Sequence, residues 1–291
     1  MSRMVISDHD GMPDLHPAPL TMDGSALLHQ MFRFDWPAWR GLDVAGRKKI
    51  IEEAQAFFAP REKNVSAVSG HPNQTVLFAQ LGHKGDLLLV HFADSMEQLA
   101  KLERDIARLE LSDYLEPSES YVSVVELGLY ESSARIFAQL AAEGIEPHSE
   151  VWEQRVAEVV NRQATAMETR LFPSVPEGKY LCFYPMDRRR GEQNNWYTLP
   201  MAERQRMMHD HGMIGRRYGD YVRQIISGSI GFDDWEWGVD LFADDPKIFK
   251  KLIYEMRFDA ASANYAEFGP FYIGVRLPSA ELGEWLAPGE K

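Results

Sequence analysis

A tyrosine and a histidine in the second half of the chain have side chains that suit oxidation chemistry. Tyr184 lies near the end of a predicted strand, and His211 lies on the helix predicted to follow it. A phenol can lose an electron and a proton, and an imidazole can bind a metal ion. The basic run Arg188–Arg190 lies between them, and guanidinium groups bind carboxylates and phosphates as bidentate partners. Together they predict redox chemistry on a bound anionic metal-containing ligand, although a charge run is also typical of a solvated loop.

Helical spacing distinguishes His211 from its neighbour His209. In the helix predicted over residues 200–217, Met207, His211 and Ile214 share an apolar stripe, so His211 faces the protein and His209 does not. Such a residue is most often a hydrogen-bonded core histidine. The alternative is a metal ligand. Haem iron fits better than zinc, because a porphyrin supplies four ligand nitrogens whereas zinc needs several converging protein ligands.

Strand alternation assigns a face to Tyr184. On the strand predicted over residues 179–186, Tyr184 and Met186 point to one side and Phe183 points to the other. One side is expected to pack against helices, and the other to face a cavity between two sheets. Alone, Tyr184 is typical of a packed aromatic residue. Pro185 removes a ladder hydrogen bond and marks the strand end, where binding and catalytic residues are common, and this favours the functional interpretation.

Composition restricts the classes of function. The chain has 31 basic and 44 acidic residues and a net charge of −13, which disfavours a general role on nucleic acid or on an anionic membrane. No apolar run reaches the roughly 18 residues that a membrane helix needs. Cys182 is the one cysteine, which excludes an internal disulfide framework and cysteine-rich metal sites. We therefore expect a cytoplasmic protein without nucleic-acid or membrane partners.

A short internal repeat indicates a duplicated α+β architecture. Phe92-Ala93-Asp94 recurs as Phe242-Ala243-Asp244, and each copy lies between a predicted strand and a helix that Asp94 or Asp244 is expected to cap. The elements around both copies follow the order β-α-β-β-α-β, which is the ferredoxin-like motif, and two such sheets can pair into one barrel. The predicted divisions are a flexible N-terminal arm, a first ferredoxin-like domain, a helical connector and a second ferredoxin-like domain, at residues 1–24, 25–135, 136–174 and 175–291.

Motifs of the second half resemble those of the chlorite dismutase-like superfamily, and within it the coproheme decarboxylases. In chain order they are Tyr184–Met186, Asn195–Tyr197, His211–Arg216, Gly228-Ser229, Asp233–Gly238, Tyr254–Asp259 and Tyr265–Gly269. Many separate matches in one order make the resemblance specific, whereas the first half matches only in its architecture. The resemblance implies a dimeric α+β barrel of two ferredoxin-like domains, the second of which holds haem, assembled as a homopentamer.

The resemblance also implies an activity. Hydrogen peroxide would drive two oxidative decarboxylations of iron coproporphyrin III (coproheme), which is both substrate and cofactor. Propionates 2 and 4 would become the vinyl groups of the product, haem b. Because this reaction is the last step of coproporphyrin-dependent haem biosynthesis, a transient contact with the coproporphyrin ferrochelatase that supplies coproheme is also expected.

Individual residues match family positions that have defined roles. Tyr184 matches the radical-forming tyrosine, His211 the proximal ligand of the iron, and Gln224 the distal glutamine. Family positions around the propionates are matched by Arg170, Met186, Arg188, Arg216 and Ser262. Arg188 departs from the pattern, because close relatives usually carry lysine there, and a planar guanidinium makes its contacts in a different geometry.

Two alternatives remain open from the residues. A chlorite dismutase shares the fold and the proximal histidine, but that activity resembles a site with a distal arginine. Here Gln224 holds the position, while Arg223 lies on the opposite strand face. A haem carrier or sensor, from a non-enzymatic class, would bind porphyrin without changing it. Tyr184 and Arg188 argue against a carrier, because binding alone does not need a positioned phenol.

Overall fold

The computed structural model describes residues 18–287. The strands are β1 (Thr21–Phe34), β2 (Thr75–Leu81), β3 (Leu87–Ala93), β4 (Leu115–Gly128), β5 (Tyr180–Arg188), β6 (Arg223–Gly228), β7 (Trp237–Ala243), β8 (Ala266–Phe268) and β9 (Tyr272–Arg276). The helices are α1 (Trp36–Gly41), α2 (Val44–Phe58), α3 (Met96–Ile106), α4 (Tyr130–Ala142), α5 (Glu150–Ala166), α6 (Glu168–Leu171), α7 (Met201–Arg217), α8 (Lys247–Met256), α9 (Ala260–Tyr265) and α10 (Leu282–Trp285). Within residues 18–287, no helix combines the length and the apolar character needed to cross a membrane.

The strands form one closed sheet. The order is β4-β1-β3-β2 in the N-terminal half and β6-β7-β5-β9 in the C-terminal half, and each is the strand order of a ferredoxin-like sheet. Two antiparallel contacts join the halves, from Val124 of β4 to Gly228 of β6 and from Phe78 of β2 to Arg276 of β9. The short strand β8 pairs with β5 outside this ring. The expected α+β barrel of two ferredoxin-like units is therefore confirmed.

The space between the two half-sheets is a packed core and not the predicted cavity. Inward-facing side chains from both halves fill it, including Leu27, Phe183 and Phe242. A buried hydrogen bond also crosses it, between His29 Nε2 and Asp240 Oδ1 at 2.9 Å. Because large side chains interdigitate here at close packing, a ligand the size of a porphyrin must bind on an outer face of the sheet.

Helices cover the outer faces of both half-sheets. In the N-terminal half, α2 buries Ile50, Ala54 and Phe58 in a continuous apolar layer against the sheet. In the C-terminal half, α7 and α8 cover the face that carries Tyr184. Phe183, the next residue toward the N-terminus, lies in the barrel core, so the predicted strand alternation is confirmed.

The two repeated aspartates do not cap the helices that follow them. Asp94 accepts a hydrogen bond from Ser69 Oγ at 2.7 Å, while Ser95 caps α3. Asp244 accepts a hydrogen bond from the backbone N–H of Lys179 at 3.1 Å, and α8 begins only after Pro246. The prediction was wrong because loops that are distant in sequence bind these carboxylates first.

The ends of two predicted segments, the N-terminal arm and the helical connector, differ from the ends of the observed elements. Strand β1 begins at Thr21, so the end of the predicted N-terminal arm belongs to the sheet, and residues 1–17 lie outside the described residues. Helix α4 begins at Tyr130, before the predicted start of the connector, and α5 and α6 follow it and end before Pro173. The division into four segments otherwise remains a prediction.

Candidate active site

The outer face of the C-terminal half-sheet carries Tyr184 and Gln224. Tyr184 pairs with Val239, and Val239 pairs with Ile226, so these side chains form one row across β5, β7 and β6. Gln224 lies in the next row, opposite Leu241. Strand spacing and rise place the Cα atoms of Tyr184 and Gln224 roughly 12 Å apart. We call the outward-facing residues Tyr184, Gln224, Ile226 and Val239 the site floor, and its Gln224 end is exposed.

Tyr184 is held rigidly at the buried end of the site floor. Its side chain is 4% exposed, and its ring stacks on Phe271 with the centroids 4.7 Å apart. Phe268 packs on it at 5.9 Å, and the guanidinium of Arg257 lies over the Phe268 ring at 3.8 Å. Burial raises the pKa of the phenol above its ordinary value, and the nearby Arg257 cation only partly opposes this. Tyr184 is therefore a neutral phenol in a fixed orientation.

His211 lies on α7 and is oriented by a carboxylate from the start of α9. Its Nδ1 lies 2.9 Å from Asp259 Oδ2, and Ser262 Oγ donates to the same oxygen at 3.1 Å. Burial acts to raise the pKa of Asp259, but hydrogen bonds from His211 and Ser262 outweigh it and keep the pKa below its ordinary value. An ionised Asp259 fixes the proton of His211 on Nδ1, which leaves Nε2 as a lone-pair donor, the usual arrangement of a metal-binding histidine. The site therefore fits an axial ligand of iron.

Arg188 lies at the end of β5, between the sheet and the helices. Its guanidinium stacks on the Trp196 ring at 4.4 Å and donates hydrogen bonds to Ala261 O at 3.3 Å and to Met208 Sδ at 3.2 Å. Burial lowers the pKa of Arg188, although nearby phenols and carboxylates oppose the change. One cation of the basic run therefore points into the layer that also holds His211.

The other two arginines of the run face solvent. Arg189 and Arg190 are exposed, and Arg190 Nε lies 3.7 Å from Glu236 Oε1. They line a surface cavity of about 660 Å³ that residues 187–194 form together with Glu267. The predicted three-arginine clamp is therefore one buried cation at the site and two cations in a surface loop beside it.

Three further predicted site residues occupy different positions. Met186 is partly buried beside the row of Tyr184, where it pairs with Trp237 and Phe268. Arg216 is exposed near the end of α7, and Arg170 is exposed on α6. In the described part of the chain, neither guanidinium makes a contact with Tyr184 or His211. Their role at the propionates remains a prediction.

Three residues of the site were not among the predicted ones. Asp259 orients His211, Trp196 stacks on Arg188, and Arg257 lies beside the aromatic residues that enclose Tyr184. All three lie within the motifs Asn195–Tyr197 and Tyr254–Asp259, so the family resemblance marked their positions. Their contacts depend on how α9 and the loop after β5 pack against α7, which no local spacing encodes.

Comparison with known proteins identifies the family. The family model described as chlorite dismutase matches residues 47–277. The chain belongs to the chlorite dismutase family. A coproheme decarboxylase from Staphylococcus saprophyticus is 41% identical over 275 residues, which are 93% of this chain and 98% of that protein. The match therefore extends well into the first half, beyond the architecture that the motifs alone suggested.

Solved structures of other proteins share this fold. A haem-binding protein from Thermus thermophilus superposes with a TM-score of 0.77 at 36% identity, over 94% of this chain and 99% of that one. A point mutant of the chlorite dismutase from Candidatus Nitrospira defluvii gives a TM-score of 0.66 at 17% identity, over 91% of this chain and 96% of that one. The second likeness shows the fold alone.

Proposed function

We propose that this protein catalyses the peroxide-dependent decarboxylation of coproheme to haem b. The observation that carries the proposal is that α7 covers the sheet face that carries Tyr184, and that His211 on this helix is oriented by Asp259. The near full-length similarity to a coproheme decarboxylase supports the same substrate. Coproheme then serves as both substrate and cofactor.

Atom and charge balance defines what the residues must do. Each propionate, present as the carboxylate, loses carbon dioxide, one proton and two electrons when it becomes a vinyl group. Hydrogen peroxide takes up two electrons and two protons and gives two waters. Each decarboxylation therefore consumes one proton that the substrate does not provide.

Tyr184 is the group that acts on the propionate. The iron of bound coproheme supplies the activation of peroxide. The oxidised phenol of Tyr184 takes a hydrogen atom from the propionate β-carbon, and loss of carbon dioxide releases the second electron. Stacking on Phe271 fixes the ring before the substrate arrives, which is how an enzyme holds reacting atoms in a near-attack geometry.

The other site residues bind and orient the porphyrin. His211 would hold the iron through Nε2, and Gln224 would face the bound porphyrin from the site floor. We assign contacts with the propionates to Arg170, Met186, Arg188, Arg216 and Ser262. Ser262 also donates to Asp259, so it supports the orientation of His211 at the same time.

The assembly and cellular context are part of the same proposal. A homopentamer, hydrogen peroxide as the oxidant and a transient contact with coproporphyrin ferrochelatase are supported by the family resemblance. A cytoplasmic location is supported by the single cysteine, Cys182, which is buried and free. Analytical ultracentrifugation of the purified protein tests the pentamer directly.

Mass spectrometry of the reaction products tests the activity. The purified protein is mixed with coproheme, peroxide is added in steps, and the porphyrin mass is followed, with a sample lacking peroxide as the control. Two successive losses that match conversion of a propionate to a vinyl group support the decarboxylase. Oxygen release from chlorite without porphyrin change would instead identify a chlorite dismutase, and binding without either reaction would identify a carrier.

A further inference from the structure

A carboxyl group from the N-terminal half lies beside the site floor. Val125 of β4 faces the barrel core, so its neighbour Glu126 points to the outer face of the sheet. Trp237 Nε1 donates a hydrogen bond to Glu126 Oε1 at 3.4 Å. Trp237 pairs with Met186 on β5, so the Glu126 carboxyl borders the same face that carries Tyr184.

The sheet leaves room for this carboxyl at one position. Gly228 of β6 lies in the row that contains Trp237, next to the strand β4 that carries Glu126. A Cβ atom at position 228 would overlap an oxygen of the Glu126 carboxyl group. Glycine therefore allows the Glu126 side chain to lie flat on the outer face and to approach the site floor.

The surroundings of Glu126 favour its protonated form. Burial raises the pKa of Glu126, the hydrogen bond from Trp237 partly opposes this, and the charge of Asp23 on β1 adds to the increase. The partly buried phenol of Tyr130 on α4 also lies near it. Asp259 shows the opposite behaviour, because its hydrogen bonds keep its pKa below the ordinary value. The two carboxyls are therefore shifted in opposite directions, and Glu126 is the one whose surroundings favour holding a proton.

The reaction needs such an acid. Each decarboxylation consumes one proton from outside the substrate, and the other groups at the site do not supply it. The pKa of the buried Tyr184 phenol lies above its ordinary value, and a guanidinium such as Arg188 keeps its proton in proteins. The His211 proton is held by the ionised Asp259.

We propose that Glu126 is the acid that delivers, across the site floor, the proton consumed in each decarboxylation. The inference rests on the proposed function. The Glu126 O–H bond breaks, and solvent water on the exposed part of the site floor relays the proton to the peroxide oxygen that leaves as water. The O–O bond is reduced by the two electrons of the substrate, one lost with the β-hydrogen and one with carbon dioxide. The carboxylate then regains a proton from solvent.

A pH series on Glu126→Gln tests the proposal. The amide can still accept the hydrogen bond from Trp237 but cannot supply a proton. Coproheme affinity should stay unchanged, while the rate of the first decarboxylation in stopped-flow at saturating coproheme should fall on the order of 100-fold. The wild-type rate should decrease as the pH rises through the pKa of Glu126, and the variant should lose that decrease. Glu116→Gln, at an exposed position of the same strand, is the matched control and should behave as wild type.

A second variant keeps the test decisive if Glu126→Gln does not fold. Trp237→Phe removes the hydrogen bond that lowers the pKa of Glu126, so the decrease in rate should move to higher pH. An unmoved pH profile in Trp237→Phe, or a wild-type rate and profile in Glu126→Gln, overturns the inference while the proposed function stands. If the wild-type protein releases no carbon dioxide from coproheme, the proposed function falls and the inference falls with it.

Discussion

The two halves of the barrel share a fold but use a buried histidine in different ways. In the N-terminal half, His91 has no exposed surface, and both ring nitrogens are bound, Nδ1 to Thr75 Oγ1 at 3.0 Å and Nε2 to Gln30 Oε1 at 3.1 Å. In the C-terminal half, His211 is 23% exposed and is bound through Nδ1 to Asp259. Within the described residues, His91 therefore has both ring nitrogens bound, whereas His211 keeps Nε2 available, as its proposed role as a metal ligand requires.

The helix–sheet layers around the two histidines also differ in how far they are open to solvent. Trp39, Phe58, Leu87 and Leu89 are almost fully buried and close the N-terminal layer with apolar surface. The C-terminal layer has an exposed floor at Gln224. Apolar burial stabilises the fold, whereas an open polar face gives up part of that stability to bind a ligand. One copy of the motif therefore acts mainly as a scaffold for the other.

The largest effect that separates the halves is expected from Tyr184→Phe. The variant keeps the stacked ring and should bind coproheme with wild-type affinity, but it has no phenolic hydrogen to lose. Decarboxylation should slow by at least about 100-fold, since the reacting group is gone while the geometry is kept. The rate is measured from the porphyrin masses at successive times after peroxide addition. Full haem b production by this variant would contradict the role of Tyr184.

A smaller effect is expected from the carboxylate that orients His211. Asp259→Asn should weaken coproheme binding by about 10- to 100-fold, because groups that orient metal ligands contribute this much to affinity. His211→Ala should change the Soret band, which reports the axial bond, and also weaken binding. Spectroscopic titration measures both. An unchanged Soret band in His211→Ala would show that the iron is bound elsewhere.

In the N-terminal half, the titration of His91 is expected to affect the stability of the fold and not the binding of coproheme. Burial and the nearby His29 lower the pKa of His91 from 6.5 to about 3 in the folded protein. Folding favours the neutral imidazole of His91. Its contribution to the free energy of unfolding is therefore fully present above pH 6.5 and is lost as the pH falls toward 3. The loss approaches about 1.4 kcal/mol for each pH unit.

His91→Gln isolates that contribution. The amide can replace the hydrogen bonds but cannot titrate, so the free energy of unfolding should fall less steeply with decreasing pH than in the wild type. Urea unfolding at several pH values measures the slopes. Coproheme affinity should not change, because His91 lies under α3 and not at the site. Equal slopes in the two proteins would show that another group causes the acid sensitivity.

The smallest effect is expected from Arg188→Lys, which restores the residue usual in the family. Lysine keeps the charge but loses the stacking on Trp196 and one of the two hydrogen bonds of the guanidinium. Coproheme affinity should fall by about fivefold or less, which corresponds to one hydrogen bond of roughly 1 kcal/mol. A much larger loss would show that Arg188 binds a propionate in a bidentate geometry. Spectroscopic titration decides between them.

The sequence predicts the parts of this molecule that depend on local periodicity. Strand alternation placed Tyr184 and Phe183 on opposite faces of β5, and helical spacing separated His211 from the exposed His209. The repeat around Phe92 predicted the duplicated β-α-β-β-α-β order. These patterns are reliable because neighbouring residues alone fix them.

Contacts between distant segments were not predictable in this way. The two aspartates expected to cap α3 and α8 bind loops from elsewhere, and Asp259 reaches His211 only because α9 packs on α7. The barrel interior was expected to hold a cavity, but large side chains from both half-sheets fill it. Whether the interior is filled depends on how the strands of both half-sheets are aligned with one another, and the pattern of a single strand does not specify that alignment.

The closure of the sheet has a consequence for how the chain can come apart. Each half-sheet ends in strands whose free edges are covered only by the other half, through β4 with β6 and β2 with β9. Separating the halves would expose the unpaired backbone groups of all four strands, and such edges readily recruit strands of other chains. Within the described residues, β8 pairs along one edge, with β5, and at three residues it is too short to seed such pairing well. Resistance to aggregation is therefore a shared property of the two copies, and neither half could be expressed alone without losing it.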